Sequence, residues 1–172
     1  MSRAVMLSIR PKWVEKIANG EKTIEVRKTK PKLETPFKCY IYCTLPKYPH
    51  EDFIATDYPR PQFYGGGKVI GEFVCDCITP LYNVCMDDWK RLAGGLHNIE
   101  KELVNQACLT EAKLHTYAGG KNCFAWHISD LLIYDQPKGL DEFTRLRETK
   151  FGSEPVTIKR PPQSWCYVEE ME

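Results

Sequence analysis

The sequence lacks any long apolar run. Its early apolar stretch, residues 4–9, stops at Arg10 and Pro11, far short of the ~20 residues that span a bilayer or of the core of a secretory leader. The expectation is a protein that keeps to the cytoplasm and has no membrane partner. Histidine is scarce too. His50, His97, His115 and His127 are scattered, and no C-x-x-C or H-x(3–5)-H spacing occurs, so a zinc site is not expected. Repeats, low-complexity tracts and an interdomain linker are also missing. Residues 1–172 therefore read as a single domain with one core. A composition of 42% hydrophobic and 27% charged residues is ordinary for a folded chain and excludes disorder as the main state.

Cysteine is plentiful, with eight residues, yet their arrangement argues against a disulfide framework. Cys39 and Cys43 flank Ile41, and Cys75 and Cys77 flank Asp76, inside runs that read as strands. Thiols on one face of one strand point the same way and bridge poorly. In a reducing compartment they serve as small core residues.

A net charge of +1 selects no partner by itself, but its distribution is uneven. Up to Lys32 there are nine basic residues against three acidic ones, and the rest of the chain holds 15 against 20. A basic first segment on a mildly acidic body suits an anionic partner binding near that segment.

Along the chain, residues 4–9 read as a strand buried on both faces. Pro11 suits the first turn of a helix, whose apolar stripe is Trp13, Val14 and Ile17 and whose stop is Asn19-Gly20. Residues 23–27 alternate strictly, Ile24 and Val26 to one side, Thr23, Glu25 and Arg27 to the other. Residues 38–44 form a further strand. Residues 45–67, with four prolines and the run Gly65-Gly66-Gly67, read as a loop insertion. A long strand is expected over 68–78. Three helices follow, marked by Trp89 and Leu92, by Ile99, Leu103 and Val104, and by Leu114 and Tyr117, the third with Thr110 as N-cap. Strands over 123–134 and 165–168, with one turn near 140–143, complete the pattern. Strands outnumber helices and do not alternate with them, so the class is α+β, a mixed β-barrel with short flanking helices.

Leu7-Ser8-Ile9-Arg10-Pro11-Lys12-Trp13, followed by Gly20-Glu21-Lys22-Thr23-Ile24-Glu25-Val26-Arg27, resembles the signature of the ASCH family. In that signature a strand and a short helix lead into G-x-K-x-x-E-x-R. Val69 to Phe73, Ala125 to Ile128 and Pro161 to Tyr167 are similar to further segments of bacterial and phage-type members. The resemblance implies a PUA-like barrel with a cleft beside the first helix, and RNA, a nucleotide or a modified nucleoside as partner. It implies no metal or organic cofactor for the binding role, and it also implies a rival activity, since some small members hydrolyse acylated cytidine or cleave RNA. The cytidine-hydrolysing pattern has threonine where this chain has Glu25, which argues against that amidohydrolase reaction here.

The same residues carry the chemistry on physical grounds. Lys22, at a helix-to-strand turn, can hold a phosphate as a point charge or, when desolvated, act as base or nucleophile. Glu25 and Arg27 sit side by side on one strand face, the arginine offering a planar fork and the glutamate accepting from a base amino group. Glu72, on a face shared with Ile70, Val74, Asp76 and Ile78, is a candidate acid–base group. Lys22, Glu25 and Glu72 would thus be the catalytic set if the protein is an enzyme. The ligand-binding set is Arg10, Lys12, Lys22, Glu25, Arg27, Trp126, Ser164 and Trp165, with Trp126, Trp165 and Tyr64 as stacking surfaces and Ser164 as a hydrogen-bonding group.

Overall fold

A computed structural model describes residues 2–48, 53–55, 62–81 and 98–171. The described residues are α+β, mostly strand with three short α-helices. Strand β1 (Arg3–Ile9) lies inside a five-stranded sheet. Its neighbours are β3 (Phe37–Cys43), which runs parallel to it, and β12 (Trp165–Glu169), which runs antiparallel. Strands β6 (Lys68–Cys75) and β9 (Ser129–Lys138) extend the sheet beyond β3 in the order β12-β1-β3-β6-β9. A three-stranded sheet, β2-β8-β7, is built from β2 (Ile24–Arg27), β8 (Cys123–His127) and β7 (Ile78–Leu81). Two hairpins complete the strands, β4 (Phe53–Ala55) with β5 (Gln62–Tyr64), and β10 (Thr144–Thr149) with β11 (Gly152–Thr157). The ladders among the described residues run as open sheets.

Burial explains why the strands read as they do. Val5, Leu7 and Ile9 of β1 enter one cluster with Cys39, Ile41, Phe73 and Trp126. Ala4 and Met6 enter another, with Tyr40, Tyr42, Phe143 and Val168, on the opposite face. Both faces of β1 are thus dry, and no polar alternation is needed. Helix α1 (Pro11–Ala18) sets Val14 and Ile17 into the first cluster, and Asn19 and Gly20 end it, the glycine at φ +73°. Ile24 and Val26 of β2 enter a third cluster with Leu103 and Val104 of α2 (Asn98–Gln106) and Leu114 of α3 (Glu111–Ala118). Thr110 caps α3, its hydroxyl accepting from the Lys113 N–H at 3.2 Å, and Gly119 closes it in the left-handed region.

Four expectations are corrected. The long strand over 68–78 breaks at Asp76-Cys77 into β6 and β7, so Cys75 and Cys77 do not share a strand face. A bulge within β6 also changes its face: Ile70 and Phe73 lie in one cluster although three residues apart, while Val69 lies in another. Glu72 therefore does not share a face with Ile70. The strand over 123–134 divides at Ile128 into β8 and β9, beside Asp130 at φ +46°. The 45–67 segment carries the β4–β5 hairpin rather than loop alone, and the β10–β11 hairpin was not anticipated. The helix marked by Trp89 and Leu92 lies outside the described residues, as does Cys85; the other seven cysteines carry thiols.

Candidate functional site

A cleft of about 750 Å³ opens where the end of β1, the start of α1, β2, α3 and the approach to β12 meet. That volume lies in the range of small-molecule sites, roughly 300–1,000 Å³. Six cationic side chains line it, Arg10, Lys12, Lys22, Arg27, Lys28 and Lys113, with Glu25 as the carboxylate among its lining residues. Trp13, Tyr117 and Leu109 supply apolar wall, and Ser8, Thr29, Gln163 and Ser164 supply neutral polar groups.

The cations fall into two kinds. Arg10, Lys12, Lys28 and Lys113 are exposed and form a rim. Lys22 and Arg27 are buried, at 3% and 7% exposure, and form the floor with Glu25. The Lys22 ammonium donates to the Ile24 carbonyl at 2.7 Å and to the Ala107 carbonyl at 2.9 Å, and pairs with Glu25 at 3.3 Å. Three acceptors match the three N–H bonds of an ammonium. The Lys22 ammonium, read from the sequence as a phosphate contact, base or nucleophile, is thus already engaged. Arg27 donates to the Ser8 carbonyl at 2.9 Å, to the Ser164 carbonyl at 3.2 Å and to the Ser164 hydroxyl at 3.3 Å, and pairs with Glu25 at 3.0 Å. The floor thus ties β1, β2, the end of α2 and the approach to β12 together. These are buried, hydrogen-bonded charges, in which loss of one partner strands the other.

The aromatic walls are held by the same cations. Lys12 lies 4.7 Å and Lys22 5.3 Å from the Trp13 ring centre, and Lys28 lies 5.2 Å from that of Tyr117, all within cation–π range. Burial pushes the Tyr117 phenol above its ordinary value, with Arg27 acting in the opposite sense.

Seven of the sequence-derived candidates can thus be placed at or beside the cleft. Arg10, Lys12, Lys22, Glu25, Arg27 and Ser164 line it. Trp165 stands next to it, its indole N–H donating to Thr29 at 2.9 Å. Three do not meet there. Trp126 is fully buried in the core, 5.8 Å from Phe37 and 6.0 Å from Trp165, so its ring is covered by side chains. Tyr64 is exposed on β5 and is not a lining residue. Glu72 pairs with Lys38 at 3.1 Å and accepts from the Tyr134 hydroxyl, against the opposite cluster. A catalytic set of Lys22, Glu25 and Glu72 is therefore not assembled. Sequence reasoning missed Lys28, Thr29, Lys113, Tyr117 and Gln163. The four-residue spacing of Lys113 and Tyr117, which puts both on one helix face, was the available signal.

Among the described residues no group of three or more His, Cys, Asp or Glu is placed to hold a metal ion, and no helix is long and apolar enough to cross a membrane. No family model and no curated relative matches the chain. Solved structures do. The ASCH protein of Zymomonas mobilis matches at a TM-score of 0.54 and 19% identity, over 97% of this chain and 88% of that one. A Tyr-to-Phe variant of that protein matches at a TM-score of 0.52 and 18% identity, covering 97% and 91%. A Ser-to-Ala variant matches at 0.52 and 19%, covering 97% and 89%. The chain has an ASCH-like fold. Within that ASCH-like fold, β2 supplies Glu25 and Arg27 to the cleft floor and α1 supplies Lys12 and Trp13 to its wall.

Proposed function

We propose that this chain is an ASCH-family binding module, one PUA-like unit over residues 1–172, whose cleft holds RNA or a nucleotide. The observation that carries the reading is the division of charge, four exposed cations on the rim of a nucleotide-sized cleft whose floor pairs its own two cations with Glu25. Six lining cations stand against the one lining carboxylate, Glu25, and a phosphate supplies the missing negative charge. Trp13 and Tyr117 offer ring surface for a base. The barrel belongs to the same reading. Strand β8 passes into β9 through Ile128 alone, a junction that suits two sheets wrapping round one core.

The hydrolase alternatives receive no such support. A lysine with three acceptors has no free lone pair to attack an acyl carbon, and Glu72 lies elsewhere. The test is binding of fluorescent single-stranded RNA by the whole protein across a salt series. Affinity should fall steeply with salt. Lys12→Ala with Lys28→Ala should lower the slope by about two units, one for each phosphate that the two lysines would neutralise. A slope unchanged in that double variant would overturn the reading. Turnover of acylated nucleosides or RNA in the same samples would favour the enzyme instead.

A further inference from the structure

Glu25 sits at the cleft floor with its side chain 10% exposed, and its two oxygens are filled below their capacity. Oε1 faces Arg27 Nη2 at 3.0 Å and Oε2 faces Lys22 Nζ at 3.3 Å. A carboxylate has about four acceptor sites, two on each oxygen. One site on each oxygen is thus spent on a protein cation and one on each remains. The two oxygens stand about 2.2 Å apart, the fixed spacing of a carboxylate, which a planar pair of N–H donors matches in bidentate fashion.

We infer that the cleft selects a guanine base, whose Watson–Crick edge is read by Glu25. The inference rests on the nucleotide-binding reading above. Guanine places N1–H and an N2–H side by side, one donor for each open acceptor. Adenine and cytosine each place an amino N–H beside a ring nitrogen whose lone pair meets the second carboxylate oxygen. Uracil offers one N–H between two carbonyls. Each of these three bases sets at least one acceptor against an acceptor, and the carboxylate then loses a hydrogen bond that water no longer replaces. Lys22 and Arg27 each pair with one carboxylate oxygen, so Glu25 cannot rotate away without breaking a buried ion pair. Trp13 and Tyr117, both lining residues, supply ring faces for the purine.

Equilibrium dialysis of the whole protein at low salt against GMP, IMP, AMP, CMP and UMP tests this. GMP is expected to bind roughly 5- to 100-fold more tightly than AMP, CMP or UMP, the discrimination of one bidentate pair. IMP keeps N1–H but lacks the 2-amino group, and is expected to fall between. Glu25→Gln, which offers one acceptor and one donor, should abolish the preference for GMP over AMP. The wild-type series stands without that variant if it does not fold. Equal binding of all five nucleotides, or AMP or CMP ahead of GMP, would overturn the guanine assignment and leave the nucleotide-binding reading intact. Binding of none of the five, and of no RNA, would overturn that reading itself.

Discussion

The Lys22 ammonium donates to the Ala107 carbonyl oxygen at 2.9 Å, joining two residues 85 positions apart in the chain. This bond fastens the turn before β2 to the end of α2, with the Thr23 N–H to Gln106 carbonyl bond at 3.0 Å beside it. The consequence for stability is direct. Lys22→Ala strands two buried carbonyls and leaves Glu25 with one cation. The expected cost is about 3 kcal/mol, the scale for breaking a buried, hydrogen-bonded pair. Urea unfolding measures it. Lys22→Arg should not restore stability, because a planar fork does not match three acceptors grouped round one nitrogen. A loss below about 0.5 kcal/mol, ordinary for an exposed lysine, would show that the floor does not hold the fold.

The rim is expected to behave in the opposite way. Arg10, Lys12, Lys28 and Lys113 are exposed, so single alanine substitutions should leave the unfolding midpoint nearly unchanged. RNA binding at low salt should weaken in each. A parallel urea and binding series on Lys22→Ala and Lys113→Ala separates the two roles. Stability lost at Lys113 rather than at Lys22 would reverse the assignment.

Local and tertiary information account for what was legible in the sequence and what was not. Strand β1 was readable because both its faces are dry, and β2 because Ile24 and Val26 meet helices while Glu25 and Arg27 meet the cleft. The Thr110 cap is local and was readable for that reason. The state of Lys22 and Arg27 was not. Besides Glu25, their partners include the carbonyls of Ile24, Ala107, Ser8 and Ser164, and backbone acceptors, three of these four from distant segments, leave no residue-type signature. Glu72 was misplaced because a bulge in β6, invisible in the alternation, changes which residues share a face.

Alkaline pH should destabilise the protein before any lysine of the floor is considered. Burial pushes the Cys75 thiol from its ordinary 9.0 up to about 12. Burial likewise raises Cys39, Tyr40 and Tyr42, and burial with the Glu72 hydrogen bond raises Tyr134. The unfolded chain releases these protons near their ordinary values while the folded chain keeps them. Above about pH 9 the unfolded state therefore binds fewer protons, and stability falls as pH rises toward 12. Thermal melts should be flat in this contribution from pH 7 to 9 and then decline. A melting temperature unchanged at pH 11 would contradict the burial of these groups.

Thiol reactivity should follow the same burial. Cys77 is exposed, Cys108 and Cys166 are partly exposed, and Cys39, Cys43, Cys75 and Cys123 are buried. Among the described cysteines, alkylation at pH 8 followed by peptide mass mapping should label Cys77 first and the buried four only after denaturation, because reaction needs an accessible thiolate. Early labelling of Cys75 together with Cys77 would mean that β6 and β7 form one exposed strand.

Gly71 tests the β6 bulge and the sheet that carries it. A Cβ at this position would meet the Leu132 carbonyl oxygen at 2.3 Å, the Ile133 Cα at 3.1 Å and the Ile133 side chain at 3.2 Å. Two of the three atoms are backbone of β9, which pairs with β6 through Gly71↔Ile133 and Glu72↔Leu132. Neither can withdraw without opening that ladder. Gly71→Ala should therefore cost about 1–3 kcal/mol or more, as overpacking of a close-packed site does. Gly20 provides the contrast. A Cβ there meets nothing within 4 Å, but the residue sits at φ +73°, so Gly20→Ala should cost only the left-handed strain of about 1–2 kcal/mol. Amide hydrogen exchange separates the two causes. Gly71→Ala should speed exchange along β6 and β9, whereas Gly20→Ala should act at the end of α1 and leave β9 protected. Unchanged protection of β9 in Gly71→Ala would mean that the two strands do not approach as closely as this packing requires.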